Sequence, residues 1–208
     1  VAKDLGALTI AIVTRPFSFE GEKRRKNAIE GINKLKENVD AIIIVSNDKL
    51  MMMNGTRPIS EAFAESDRVL AQSVKTITDL IVVPGVINLD FADVRSTLKD
   101  KGLALIGFGS GTGPKKANDA ASSALLSPLL EASIHGAHSI IANVTCGNNV
   151  SLDEVKEAID YVTSAAGNNP NIIFGVQANP ELNDQMLISI VATEFDNDFD
   201  PFSENATP

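Results

Sequence analysis

The sequence has little of what builds disulfide frameworks, zinc sites or membrane spans. Cys146 is its only cysteine, and His135 and His138 are its only histidines, which excludes an internal disulfide and most zinc arrangements. Nowhere do roughly 20 apolar residues follow one another, as a membrane-spanning helix requires. These absences favour a reducing, cytoplasmic location without direct membrane insertion.

Positive charge is also scarce. The chain has 18 Lys and Arg against 27 Asp and Glu, a net charge of −9, and the short run Lys23–Lys26 is its densest basic patch. Nucleic-acid surfaces need clustered basic residues, so nucleic acid is not expected as the main partner. The basic run is interpreted as a solvated helix face. With 44% hydrophobic residues, 208 residues can bury one large core or two smaller ones.

The first part of the chain has the pattern of a βαβ unit. An apolar run of strand length, Ala7–Thr14, precedes helical spacing over Lys23–Glu37, and a second apolar run follows at Asp40–Ser46. In open α/β sheets, ligands bind at the loops that follow the carboxyl ends of the strands. Those loops are PFSFEG and SNDKL.

The rest of the chain predicts one long helix followed by a mixed α/β region. Ile59–Val83 keeps helical spacing without internal glycine or proline, and Pro84 ends it. Ser151 and Glu154 form a capping-box pattern at the start of a later helix. The two closing strands have no helix between them, which implies a mixed sheet. The predicted fold class is α/β to α+β, with two lobes joined by the long helix.

Further elements complete the predicted order. They are a helix near Phe91–Leu98, a strand Leu103–Phe108, a helix Lys116–Leu126, a strand Ser139–Cys146, a helix Ser151–Ala166, and strands Ile172–Val176 and Met186–Thr193. The acidic, polar stretch 196–208 is predicted to be a flexible tail.

The stretch NLDFADV, Asn88–Val94, has two interpretations. An Asp at a helix entrance with another acid three residues later is the ordinary way to satisfy free backbone N–H groups. The same geometry can orient a water or a hydrated cation toward a phosphoryl group. The spacing alone favours the first interpretation.

Several segments together resemble one known family. VTRPFSFEG, SNDKL, PGVINLDFADV, SPLLEASI and SIVATEF occur in the order and spacing of FtsZ, the tubulin-like GTPase of bacterial cell division. The resemblance runs from Val1 to about Phe195. It implies that 1–58 is the C-terminal part of a GTP-binding domain, 59–84 the central helix and 85–195 the C-terminal, GTPase-activating domain.

The resemblance also implies roles for single residues. Asp90 and Asp93 match the catalytic acids that position water or a cation, and Asn88 supports them. The GTP-binding matches are Glu20 for the ribose hydroxyls, Arg24 beside the nucleotide, Asn47 and Asp67 for the guanine edge, and Phe63 for stacking on the base. Without the family, core packing for Phe63, a solvated Asp67 and a surface ion pair for Arg24 would be the better interpretations.

The family's glycine-rich phosphate loop has its place upstream of the segment that matches Val1, so we expect a truncated or cleaved FtsZ. The glycine-rich stretch Gly107–Gly113 is interpreted as a flexible strand-to-helix connection and is assigned no ligand, because no Gly-Lys-Ser/Thr follows it. GTP or GDP, with Mg²⁺, is the cofactor that the resemblance implies for the intact protein, and no residue is assigned as a metal ligand.

The distance between the GTP-binding residues and the acidic residues predicts how they act together. Asp67 and Pro84 lie on one helix and are separated by roughly 25 Å, and the acidic loop lies farther still. If both ends act in one reaction, the acids must therefore serve a nucleotide held by another molecule. Repeated head-to-tail contact gives a filament. The resemblance agrees, since it implies GTP-dependent polymerisation into a division ring. It makes other copies of the chain the main partner and allows membrane-tethering division proteins as further partners.

Two alternatives stay open. The chain could be a non-catalytic assembly module that supplies the acidic loop to a partner but binds no GTP itself. It could also be a different α/β nucleotide or sugar-phosphate enzyme that uses the βαβ unit as a general ligand platform, although the combined motifs favour FtsZ.

Overall fold

The computed structural model describes residues 1–54, 58–130, 134–167 and 169–195. The tail predicted over 196–208 lies outside them. The strands are β1 Ile10–Arg15, β2 Ala41–Ser46, β3 Gly102–Thr112, β4 Ala137–Cys146, β5 Asn171–Ala178 and β6 Gln185–Phe195. The helices are α1 Glu22–Lys36, α2 Asn47–Asn54, α3 Ile59–Val82, α4 Phe91–Leu98, α5 Lys116–Leu125 and α6 Leu152–Ala166. No helix in this part of the chain is long and apolar enough to cross a membrane.

The six strands form one mixed sheet in the order β1-β2-β3-β6-β4-β5. β1, β2 and β3 are parallel neighbours, and so are β4 and β5, while β6 runs antiparallel between β3 and β4. The short pairing of β2 with β3, from Ala41 opposite Gly102 to Ile43 opposite Ala104, joins the first and second parts of the chain. The two predicted lobes are therefore linked by strand pairing as well as by α3. Their boundaries stay predictions.

Helices cover both faces of the sheet because successive strand side chains point to opposite sides. On one face, α3 and α4 pack on the sheet, with Ile77, Leu80 and Leu98 in the same buried cluster as Ile43. On the other face, Ile42 and its neighbours pack against α1, and the remaining strands pack against α5 and α6. Both faces of the central strands are buried, which explains why they have continuous apolar sequences.

Local chemistry explains the helix boundaries that the sequence predicted. The Ser151 Oγ accepts a hydrogen bond from the Glu154 N–H at 3.2 Å, and the Ser151 N–H donates to the Glu154 carboxylate at 2.8 Å, so the capping box at α6 is confirmed. Helix α2 was not predicted. The SNDKL stretch that we expected to be a loop begins this helix directly after β2.

The prediction for the glycine-rich stretch was wrong. Residues up to Thr112 belong to β3, paired with β6, and do not form a flexible connection. A Cβ on Gly107 would lie 2.5 Å from the Ala124 carbonyl oxygen, and one on Gly109 would lie 2.0 Å from that of Ala120. Glycine is therefore needed because the backbone of α5 lies directly against the strand.

Two buried polar contacts connect helices to other elements of the fold. The buried Lys116 ammonium of α5 contacts Glu154 of α6 at 2.9 Å and Asp184 of the turn before β6 at 2.5 Å. The Thr193 hydroxyl of β6 is fully buried and donates to the Thr97 carbonyl of α4 at 2.9 Å. The second bond fixes α4 to the middle of the sheet.

Candidate functional site

A cavity of about 390 Å³ lies beyond the carboxyl ends of β1 and β2, against the first half of α3. Its lining contains Thr14, Pro16, Glu20, Arg24, Asn27, Ala28, Asn47, Phe63, Ser66, Asp67 and Leu70. All the residues that the sequence analysis assigned to GTP binding are among them. The structure thus brings together in one cavity side chains from four separate stretches of the chain.

Asn47 reaches the cavity because α2 starts immediately after β2. It is only 5% exposed, and its Oδ1 accepts a hydrogen bond from the Ser66 hydroxyl of α3 at 2.7 Å. Asp67 is the next residue along α3 and is exposed at the cavity. A carboxamide and a carboxylate are therefore presented by neighbouring elements.

Glu20 is held from two directions. Its Oε1 accepts from the backbone N–H of Phe17 at 3.0 Å, and its other oxygen pairs with the Arg24 guanidinium one helical turn later. An ionised carboxylate can accept about four hydrogen bonds, so Glu20 keeps capacity for a ligand's hydroxyl groups. Arg24 is the more exposed partner, and it places a positive charge beside this carboxylate.

Three phenylalanines form one cluster at the edge of the cavity. Phe17 is 1% exposed and its ring stacks on Phe19, with the centroids 5.0 Å apart. The Phe63 ring meets Phe17 edge to face at 5.0 Å and 81°, and Phe63 stays 42% exposed. Such edge-to-face contacts orient aromatic rings. Phe17 therefore fixes a ring that remains accessible to a planar ligand.

The acidic stretch between α3 and α4 forms its own ordered unit. Asp90 is the N-cap of α4, and its Oδ1 accepts from the Asp93 N–H at 2.8 Å. Asn88 Oδ1 accepts from the Gly85 N–H at 2.5 Å. The backbone of this stretch is attached to β5, since the Val86 N–H donates to the Val176 carbonyl at 2.7 Å. The capping interpretation of Asp90 is therefore confirmed, and its catalytic role stays a prediction.

The cavity and the acidic unit lie at different ends of the molecule. The helix rise puts roughly 22 Å of α3 between Asp67 and its last residue, Val82. Arg95 of α4 donates to the carbonyl of Gly6, which precedes the amino end of β1, whereas Glu20 follows the carboxyl end of the same strand. Asp90 and Asp93 are absent from the lining of the cavity.

Ser66 and Phe17 could not be identified as site residues from the sequence alone. Ser66 occupies a helix position that many polar residues suit, and its bond to Asn47 spans 19 residues of sequence. Phe17 was visible only as one letter of PFSFEG, and nothing local distinguishes it from the exposed Phe19. Both act through contacts that exist only in the folded chain.

Two family models match the chain. The model of the Tubulin/FtsZ family, GTPase domain, matches residues 1–55, and the model of the FtsZ family, C-terminal domain, matches residues 102–196. These matches fall on the two parts of the chain that the sequence motifs distinguish. The first match includes the cavity residues from Thr14 to Asn47, and the second includes strands β3 to β6 of the sheet.

Solved structures agree. An FtsZ of M. jannaschii, described as an empty FtsZ dimer, has a TM-score of 0.88 and 38% identity over 93% of this chain and 56% of that one. CetZ from Methanosaeta thermophila strain DSM 6194 has a TM-score of 0.75 and 18% identity over 94% of this chain and 55% of that one. TubZ of Bacillus thuringiensis serovar israelensis, in GDP-form protofilaments, has a TM-score of 0.67 and 12% identity over 91% of this chain and 53% of that one.

The last two similarities show a shared fold. The family models and the M. jannaschii structure show more: the chain belongs to the tubulin/FtsZ family, and within it to FtsZ, as the sequence motifs predicted. It spans a little over half, 56%, of the length of that FtsZ chain.

Proposed function

We propose that the native protein containing this chain is a GTPase that assembles head to tail and hydrolyses GTP at the junction between two subunits. The main support is the position of the cavity and the acidic unit at opposite ends of β1. A subunit arranged in this way can complete the reaction only with a neighbour. Repetition of that contact gives a filament.

In the cavity, the exposed Phe63 ring stacks on the purine, and Asn47 and Asp67 bond to its edge. A carboxylate accepts from the ring N–H and amino group of guanine, which favours guanine over adenine. Glu20, held by Phe17 and Arg24, accepts from the ribose hydroxyls. The triphosphate then extends toward the subunit junction.

Asp90, Asp93 and Asn88 act on the nucleotide of the next subunit. Asp90 and Asp93 orient the attacking water, while Asn88 holds the loop in shape through Gly85. Among the described residues no group of three or more His, Cys, Asp or Glu could hold a metal ion. Mg²⁺ needs no such group, because it takes one or two carboxylates with phosphate oxygens and keeps several waters. Asp90 and Asp93 would position a hydrated Mg²⁺ through those waters. When bound, Mg²⁺ neutralises phosphate charge.

The names of the similar structures support self-association, because one is an FtsZ dimer and another a TubZ protofilament. Under this proposal the filament belongs to the division ring at the cytoplasmic division site, with membrane-tethering division proteins as further partners. That cellular setting rests on the family resemblance.

A complementation experiment tests the trans arrangement. Asp93→Ala removes an acid but keeps the cavity, and Asp67→Ala damages the cavity but keeps the acids. Each variant alone should release little phosphate from GTP, while an equimolar mixture should recover a substantial part of the activity, because the acids of one variant meet the intact cavity of the other. Adding the double variant to Asp93→Ala is the control. A mixture no more active than its components would contradict the proposal.

A further inference from the structure

Ser66 makes an unusual contact for a helical serine. A hydroxyl inside a helix usually bonds to the carbonyl four residues earlier, as Ser73 does on the same helix, donating to Val69 at 2.8 Å. Ser66 instead donates to the Asn47 Oδ1 at 2.7 Å, across to α2. Both partners are buried, at 4% and 5% exposure, and both line the cavity.

In this bond Ser66 uses the oxygen of the Asn47 carboxamide, which leaves the other end of the group for a ligand. The group is planar, with an acceptor oxygen and a donor NH₂ on opposite sides. Because Ser66 engages the oxygen, the NH₂ is what Asn47 can offer to a ligand. At position 6 of a purine, guanine and hypoxanthine have an acceptor carbonyl, whereas adenine has a donor amino group.

We propose that Ser66 is a positioning residue that sets the nucleotide specificity of the cavity by fixing the Asn47 carboxamide with its NH₂ toward a 6-oxopurine. This inference rests on the proposed nucleotide site, and it assigns a role that the sequence motifs do not give. Asp67 then recognises the ring N–H and the 2-amino group, so the two residues distinguish different positions of the base.

Three nucleotides separate these contributions. ITP and ATP both lack the 2-amino group and differ at position 6 and its neighbouring ring nitrogen, while GTP and ITP differ only in the 2-amino group. In the native polypeptide, Ser66→Ala frees the carboxamide to turn its oxygen outward and accept from adenine. We expect the ratio of ITP to ATP affinity to fall about five- to tenfold, the effect of one neutral hydrogen bond. The ratio of GTP to ITP affinity should stay unchanged.

Matched variants give the controls. Ser73→Ala removes a buried hydroxyl from the same helix and should change neither ratio, and Ser66→Thr should retain the specificity because it keeps the hydroxyl. Asp67→Asn should lower the ratio of GTP to ITP and also that of ITP to ATP, because Asp67 faces both the 2-amino group and the ring N–H, whereas Ser66→Ala should change only the second ratio. If Ser66→Ala unfolds at a lower temperature than Ser73→Ala, Ser66→Cys gives the comparison, since it keeps the volume with only a weak donor.

The outcomes separate the inference from the proposed function. Unsubstituted protein that binds GTP no better than ATP would overturn the proposed nucleotide site. A clear preference for GTP that survives Ser66→Ala, with the ITP to ATP ratio unchanged, would overturn the role of Ser66 alone. A fall in that ratio shared equally by Ser73→Ala would also overturn it, because it would reflect general loosening of α3.

Discussion

The Asp90 carboxylate accepts a hydrogen bond from the backbone N–H of Asp93 at 2.8 Å, across the first turn of α4. One residue therefore caps a helix and also lies in the loop proposed to act on GTP. The two roles make different demands, since capping needs an acceptor oxygen and water positioning needs a negative charge. Substitutions can separate them.

Asp90→Asn keeps a good capping oxygen and removes the charge, whereas Asp90→Ala removes both. We expect the Ala variant to lose about 1 kcal/mol of unfolding free energy and the Asn variant to lose almost none. Both should hydrolyse GTP at least about 100-fold more slowly. Denaturant unfolding and phosphate release measure the two effects. Normal turnover by Asp90→Asn would mean that Asp90 is only a cap.

Asp93→Ala should leave GTP binding by the native polypeptide near normal and slow hydrolysis at least about 100-fold, because the acid acts on a neighbour's nucleotide. Asp153→Ala is the matched control, since Asp153 also lies in the first turn of a helix, α6, and is exposed. Equilibrium binding and single-turnover hydrolysis distinguish the steps. Loss of GTP binding by Asp93→Ala would count against a role in trans.

Gly109→Ala should lower the free energy of unfolding by about 1–3 kcal/mol or more, because the added methyl group would collide with the backbone of α5. Gly31→Ala is the control: this glycine lies in the exposed middle of α1 with nothing within 4 Å of the added Cβ. It should stabilise the protein by up to about 1 kcal/mol. Thermal unfolding of both variants is the measurement. If Gly109→Ala left the unfolding temperature unchanged, β3 and α5 could move apart at little cost in free energy.

The Lys116 cluster predicts a pH dependence of stability. The hydrogen bond from Lys116 lowers the pKa of Asp184, and the Ser151 backbone N–H, with Lys116, lowers the pKa of Glu154. Groups with depressed folded-state pKa values stabilise the protein above their ordinary pKa, and that contribution disappears as the pH falls through about 4 and below. The hydrogen bonds that Lys116 donates to Asp184 and Glu154 raise the pKa of Lys116, so its contribution disappears only in strong alkali, above its ordinary value of 10.5.

Lys116→Met should therefore lower the unfolding temperature more at pH 7 than at pH 3. Lys156→Met removes an exposed ion pair with Asp160 and should change it little at either pH. Thermal scans at both pH values test this. Equal losses for Lys116→Met at the two pH values would show that packing, and not charge, explains its effect.

Elements set by local chemistry could be predicted from the sequence. Asp90 and Ser151 begin their helices as their capping patterns indicated, and Pro84 follows shortly after α3 ends. Elements set by tertiary contacts could not. Gly107, Gly109 and Gly111 of β3 are explained by the backbone of α5, and α2 follows β2 without any residue that interrupts the pattern.

The candidate site also has residues that the sequence predicted and residues that it did not. Its residues were named from family motifs, and the structure brings Glu20, Asn47 and Asp67 to one cavity, but their roles stay proposals. The supports behind them, the Phe17 ring and the Ser66 hydroxyl, depend on which elements meet in three dimensions. The spacing of these residues in the sequence does not predict their contacts.

The buried bond from Thr193 to the Thr97 carbonyl has a mechanical consequence. Because it fastens α4 to a central strand, the helix that follows the acidic stretch and the sheet are expected to move as one body. In the proposed head-to-tail assembly, a force on the acidic end of one subunit would then be carried into its hydrogen-bonded sheet.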